Sequence, residues 1–179
     1  MTIKVALLRG INVGGKNRLP MQDLKKILGE LGCEHIATYI QSGNVVFRSG
    51  ETDEALSSHV TRGIRQRFGF EPFVLILPGD RFAEIVDANP YTNDDIDPKF
   101  VHVLFLASRA IEPDIDGMRE LLSEREHFTL TDHALYFRAP DGIGRSKFAA
   151  RVEKLLGVPA TGRNWKTVCK LLDMVSAAK

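Results

Sequence analysis

The chain has 179 residues, 44% of them hydrophobic and 26% charged, with a formal net charge of +1. That suffices for one domain or two small ones, each with a core of its own. No stretch approaches the roughly 18 uninterrupted apolar residues of a membrane span, and Cys33 and Cys169, the only cysteines, stand in no metal or redox spacing.

The sequence starts directly in a strand pattern, without the basic and apolar regions of a signal peptide, so a cytoplasmic protein with two reduced thiols is expected. Charge is unevenly spread. Residues 90–140 carry five Lys/Arg against ten Asp/Glu, and residues 141–179 carry eight against three. The basic C-terminal segment attracts an anionic partner or neutralises the acidic segment beside it.

In chain order, Ile3, Val5 and Leu7 alternate with their neighbours, which predicts a strand over 3–8 with at least one buried face. Residues 9–20, Arg-Gly-Ile-Asn-Val-Gly-Gly-Lys-Asn-Arg-Leu-Pro, form a loop with three glycines, two asparagines, three cations and no acid. Pro20 is placed at the first position of a helix over 21–31. Met21, Leu24, Ile27, Leu28 and Leu31 share one stripe of that helix, and Gly32 stops it. Short strands at 35–41 and 45–48 are joined by a Ser42-Gly43-Asn44 turn. Thr52 or Asp53 caps a helix that presents Leu56, Val60, Ile64 and Phe68 and ends at Gly69. Residues 73–77, between prolines, read as a buried strand. Asp80 caps a helix ended by Asn89-Pro90.

Residues 90–99 read as a linker. Their aspartates, Asp94, Asp95 and Asp97, make a solvated acidic segment rather than a metal site, because a site needs convergent oxygens. Beyond it the element order repeats: strand 100–107, helix 115–122, hairpin 128–130 and 135–138, helix 148–156, a short strand 158–161 and a helix 164–178. The expected fold is therefore α+β, with two ferredoxin-like βαββαβ-type halves related by duplication. The halves are 1–89 and 100–179, and each has a mainly antiparallel sheet with helices on one face. This topology puts the 9–20 loop and the Ser42-Gly43-Asn44 turn at one end of the first sheet. It puts the 139–147 and 162–164 loops together in the second half, at the opposite end relative to that half's own first strand.

Gly10 to Asn17 reads G-x-x-x-x-G-K-N, one position short of a phosphate-binding P-loop. Asn17 replaces the magnesium-holding hydroxyl, and Pro20 would fall inside the helix such a loop requires. An anion nest and a structural turn needing glycine torsions remain. Asp141 to Lys147 precedes a helix with Ser146 as its N-cap, and Arg145 and Lys147 stand alongside; an anion site and an ordinary capped helix both fit. Trp165, in the first turn of the last helix, either anchors that helix or offers a stacking face. The five histidines are scattered, no nucleophile elbow is present, and Val45, Val46 and Phe47 lack the aromatic platform of an RNA-recognition module.

Four blocks in this order, 7–17 (Leu-Leu-Arg-Gly-Ile-Asn-Val-Gly-Gly-Lys-Asn), 41–47 (Gln-Ser-Gly-Asn-Val-Val-Phe), 141–147 (Asp-Gly-Ile-Gly-Arg-Ser-Lys) and 163–168 (Arg-Asn-Trp-Lys-Thr-Val), resemble the bacterial family called domain of unknown function 1697. The departures from its pattern are Lys166, where Asn is usual, and Gly162, where Thr or Ala is common. The resemblance implies a two-part ferredoxin-like α+β fold in a soluble bacterial protein, and no activity.

The functional expectation is one composite basic cleft between the halves, formed by the 9–20 loop, the Ser42-Gly43-Asn44 turn and the 141–147 and 163–166 segments, that binds a small anionic or phosphorylated ligand, or nucleic acid phosphate. Its charge comes from Arg9, Lys16, Arg145, Arg163 and Lys166. Its amides come from Asn12, Asn44 and Asn164, its close backbone from Gly14 and Gly15, and its wall from Trp165. No cofactor, metal or membrane partner is expected. The alternatives are a phosphoryl-group transferase or hydrolase using the 9–20 loop, and an interaction module without a ligand. A carboxylate or histidine within reach of the Lys16 loop would favour the enzyme.

Overall fold

The alternating run at the N-terminus forms strand β1 (Thr2–Arg9). A computed structural model gives the structure, described for residues 1–92 and 96–178. After β1 come α1 (Met21–Glu30), β2 (Glu34–Tyr39), β3 (Asn44–Ser49), α2 (Asp53–Phe68), β4 (Phe73–Pro78) and α3 (Gly79–Asp87). The second series is β5 (Val101–Leu106), α4 (Ile115–Glu120), β6 (His127–Leu130), β7 (Ala134–Arg138), α5 (Lys147–Leu156), β8 (Ala160–Asn164) and α6 (Trp165–Ala177). No helix of the described residues is long and apolar enough to cross a membrane.

The fold is α+β with two four-stranded sheets of order β2-β3-β1-β4 and β6-β7-β5-β8. Every pairing is antiparallel: β1 with β3 and β4, β2 with β3, β5 with β7 and β8, and β6 with β7. Each crossover helix therefore links parallel strands with another strand between them. The stripes read from sequence pack on one face of each sheet. Leu24, Ile27 and Leu28 of α1 and Leu56, Val60 and Ile64 of α2 cluster with Ala6, Leu8, Val45 and Phe47. In the second series Phe148, Val152 and Leu156 of α5 and Met118 of α4 cluster with Leu135, Phe137 and Leu106. Each side chain of this size removed from water contributes about 1.5–3 kcal/mol.

The chain divides into two compact units, Met1–Glu84 with Lys170–Lys179, and Ile85–Cys169. In each unit the sheet face away from the crossover helices is also buried. In the first, Val5, Leu7 and Val46 are at most 1% exposed, and a Cβ on Gly79 would meet Ile3 Cγ2 and Val175 Cγ1 at 3.1 Å. In the second, Val103, Phe105 and Tyr136 are fully buried, and the Tyr136 hydroxyl donates to Ile85 O at 2.7 Å. Thus α3 starts in the first unit and ends in the second, and α6 does the reverse.

Three local expectations are corrected. Pro20 is the N-cap of α1, with extended backbone, rather than its first helical residue; its carbonyl accepts the Asp23 and Leu24 amides at 3.0 and 3.1 Å. Asn44 begins β3, fully buried, and the hairpin loop is 40–43. Residues 162–164 are not a loop but the second half of β8, where Gly162 stands opposite Leu104 and Arg163 opposite Val103. Glycine and cations there suggested a loop, but the pairing with β5 decides the conformation. Asp94 and Asp95, weighed as metal ligands, lie outside the described residues. Asp97 accepts the Lys99 amide at 2.9 Å and pairs with its ammonium at 2.9 Å.

Candidate functional site

The glycine-rich loop after β1 folds back as a small hairpin of its own. The Asn12 amide donates to Asn17 O at 3.1 Å, and the Lys16 amide to Val13 O at 3.0 Å. Between them Gly14 and Gly15 take φ of 57° and 75°. Two successive left-handed residues make a primed two-residue turn. An anion nest needs backbone of alternating hand, so the two glycines serve the turn. Val13 (68% exposed) and Lys16 stand at its tip.

Asn12 holds this finger to the body. It adopts φ 53°, a torsion Asn tolerates far better than most residues. Its Nδ2 donates to Leu19 O at 2.9 Å and Gln41 O at 2.8 Å, and its Oδ1 accepts the Leu19 amide at 2.8 Å. Both amide hydrogens thus go to carbonyls, which leaves Asn12 a scaffold rather than a donor for a ligand. Asn17 Nδ2 closes the other strap on Gly10 O at 2.8 Å. The Leu8 amide donates to Gly43 O at 2.9 Å, and Asn44 Nδ2 donates to Tyr39 O at 3.1 Å and Ser42 Oγ at 2.8 Å. The two loops that topology assigns to one end of the sheet are therefore bonded together. Arg9 lies over the Phe73 ring at 5.2 Å.

At the base of the finger is an open groove of about 590 Å³. One side is Arg18, Leu19, Pro20, Met21 and Gln22; the other is Asn12, Thr38, Ile40 and Gln41. This lining carries one cation and no carboxylate or imidazole. No side chain caps α1, which carries Asp23 in its first turn, and Arg18 stands two residues ahead of its N-cap. Ile40 has φ 49° and is 52% exposed, an outlier for a β-branched residue that costs about 1–2 kcal/mol. A second hollow of about 390 Å³ between α1 and α2 is lined by acids and bases together: Glu51 lies 3.2 Å from the His59 ring, Glu30 pairs with Arg67, and Arg62 also lines it.

In the second unit residues 139 and 164 both bond to the residues just ahead of β5. The Ala139 amide donates to Phe100 O at 2.8 Å, and Asn164 Nδ2 to Lys99 O at 2.9 Å. Asn164 Oδ1 accepts the Lys166 amide at 3.1 Å and so caps α6. Ser146 caps α5 by accepting the Ala149 amide at 3.0 Å. Arg145, Lys147 and Lys166 are exposed. Arg163 is 8% exposed, with Nη1 donating to Thr161 Oγ1 and Gly162 O, both at 2.8 Å. Burial lowers its pKa to about 10, so it keeps its charge at neutral pH. Trp165 is 9% exposed, an anchor for α6 more than a stacking face. Burial also lowers the His102 pKa, so this β5 histidine is neutral at pH 7. Among the described residues no group of three His, Cys, Asp or Glu is placed to hold a metal ion.

The groove adds Arg18, Gln22, Thr38, Ile40 and Gln41 to the residues singled out from sequence. Arg18 had a readable signal: it stands immediately ahead of a helix start. Thr38 and Gln41 had none: Thr38 faces the groove from β2, and Gln41 is brought there by the bond from Asn12 to its carbonyl.

A family model described as a protein of unknown function, DUF1697, matches residues 1–136. No curated protein matches the chain. Among solved structures, the conserved bacterial protein SP0830 from Streptococcus pneumoniae is similar. It shares 25% identity and a TM-score of 0.71, over 97% of this chain and 98% of that one.

Proposed function

Since the chain belongs to DUF1697, a family of proteins of unknown function, we propose that it binds a phosphate-bearing ligand in the groove at the base of the first unit's finger. The observation that carries this reading is the lining: Arg18 shortly ahead of an uncapped helix start, with no acid among the lining residues although Asp23 lies in the helix's first turn. An anion there gains backbone donors, the helix dipole and a cation together. Lys16, at the finger's tip, and Arg9 add long-range attraction. Arg145 and Lys166 are a second, exposed basic surface on the other unit, proposed for the same class of anion. Asn12, Asn44, Arg163, Asn164 and Trp165 act on the shape of these surfaces.

Binding is favoured over phosphoryl transfer because no group in the groove lining can serve as a general base. We propose further that halves 1–89 and 100–179, joined by 90–99, are a duplicated ferredoxin-like unit, on the strength of their matching strand orders. A cytoplasmic location is proposed from the two free thiols. A thermal-shift screen of inorganic phosphate, phosphosugars, nucleotides and short oligonucleotides tests the function, since a ligand held only by the native state raises its stability. Phosphate-bearing ligands are expected to raise the melting temperature of the wild type. The effect should fall as salt rises and vanish in Arg18→Ala. No shift with any of them, or an unchanged shift in Arg18→Ala, overturns the reading.

A further inference from the structure

We infer that the groove is shaped for a nucleoside phosphate, free or as one unit of a single strand, rather than for phosphate alone. This rests on the binding reading above and adds the identity of the rest of the ligand. Arg18 accounts for one end only. The groove also carries three uncharged polar side chains, Gln22 on Arg18's side and Thr38 and Gln41 on the other, and no side-chain hydrogen bond joins them to a described residue. Each can donate and accept. A ligand that meets them needs an edge offering both kinds of group. Inorganic phosphate and pyrophosphate offer no flat edge on which donors and acceptors are held side by side at fixed spacing.

Ile40 supplies the second distinction. It is held left-handed and half exposed at the groove, tied in place because the next residue's carbonyl accepts from Asn12. An apolar branched side chain kept there buries less against a phosphosugar, most of whose surface is hydroxyl, than against an aromatic ring. It suits the face of a flat ring, with Pro20 and Met21 across the groove. A ring whose face is apolar, whose edge mixes donors and acceptors and which is joined to a phosphate is a nucleobase in a nucleotide. Glutamine amides pair with the adenine edge in a bidentate manner, so adenine is the first base to expect. At about 590 Å³ the groove is within the range of about 300–1,000 Å³ usual for small-ligand sites.

The test is calorimetric titration of the full chain with adenosine monophosphate, ribose 5-phosphate, inorganic phosphate and a short single-stranded oligoadenylate. Side-chain amide resonances of Gln22 and Gln41 report the location. Adenosine monophosphate is expected to bind at least about tenfold tighter than ribose 5-phosphate, the scale of one good base contact, and to shift both amides. Gln22→Ala with Gln41→Ala, and separately Ile40→Gly, should remove that advantage, so that adenosine monophosphate and ribose 5-phosphate bind the same variant alike. Ile40→Gly also relieves the backbone, so the loss is not a failure to fold. Oligoadenylate tighter than the mononucleotide assigns the base to a strand; equal or weaker binding assigns it to a free nucleotide; both support the inference. Equal affinity for adenosine monophosphate and ribose 5-phosphate, or nucleotide binding that leaves the two amides unmoved, overturns it while the phosphate reading stands. Absence of binding by all four overturns both.

Discussion

Asn12 shows how one residue sets the geometry of the candidate site. Its left-handed backbone turns the chain out into the finger, and its amide joins Leu19, at the helix approach, to Gln41, in the hairpin loop. Asn12→Ala should lower stability by about 2 kcal/mol, since it removes three bonds and leaves their partners partly buried. Asn12→Asp keeps the bond from the Leu19 amide and should lose less. Urea unfolding of the three proteins checks the order; an alanine variant as stable as wild type would mean that the loops hold one another without it. Nucleotide or phosphate binding should weaken in parallel, because the groove's two walls meet at this residue.

At the scale of elements, the approach of α1 to α2 is set by a glycine. Gly63 lies in α2, where a Cβ would come within 2.9 Å of Ile27 Cγ2 on α1. Gly29, in α1, has nothing within 4 Å of that position. Helix propensity alone favours alanine over glycine at both sites by about 1 kcal/mol. Gly29→Ala should therefore stabilise the protein by roughly that amount. Gly63→Ala should destabilise it, because overpacking costs about 1–3 kcal/mol against the same gain. Thermal and urea midpoints of the pair measure packing with propensity held constant; equal stabilisation by both would show that Ile27 yields freely. The short edge strand β2 makes a related point. Its pairing with β3 shifts between Glu34 and Ala37, where His35 takes φ 51°, and such an irregularity blunts an edge against further pairing.

At the scale of the whole molecule, the division into compact units does not follow the repeated element order, since Lys170–Lys179 belongs with Met1–Glu84. The last helix contributes Leu171 and Val175, 0% and 2% exposed, to the unit built from the N-terminal series. A chain ending at 169 loses both, and burial of two such side chains is worth about 3–6 kcal/mol. It should unfold at lower denaturant, and hydrogen exchange should accelerate first in β1 and the start of α3. Protection there equal to that of the full chain would mean that 1–84 is complete without the C-terminal segment. The helices' own periodicity does not reveal this exchange, because a stripe of apolar residues says that a face is buried and not against which sheet.

The sequence by itself determined the order and type of the elements, the inward stripes of α1 and α2, a cap for α2 at Thr52 or Asp53, the cap at Ser146 and the glycine stop at 69. These depend on neighbours within a few residues, so local chemistry suffices. It also supplied the topology that brings the 9–20 and 40–43 loops to one end of their sheet. Only the tertiary structure decided that Gly14 and Gly15 form a hairpin turn, that Arg163 lies buried on β8, and that Arg18, Gln22, Thr38 and Gln41 line one groove. Those outcomes depend on pairing between segments distant in the chain. A glycine or an arginine carries the same local preferences in a loop and at a strand's edge, and the partner strand or the distant carbonyl settles which conformation wins.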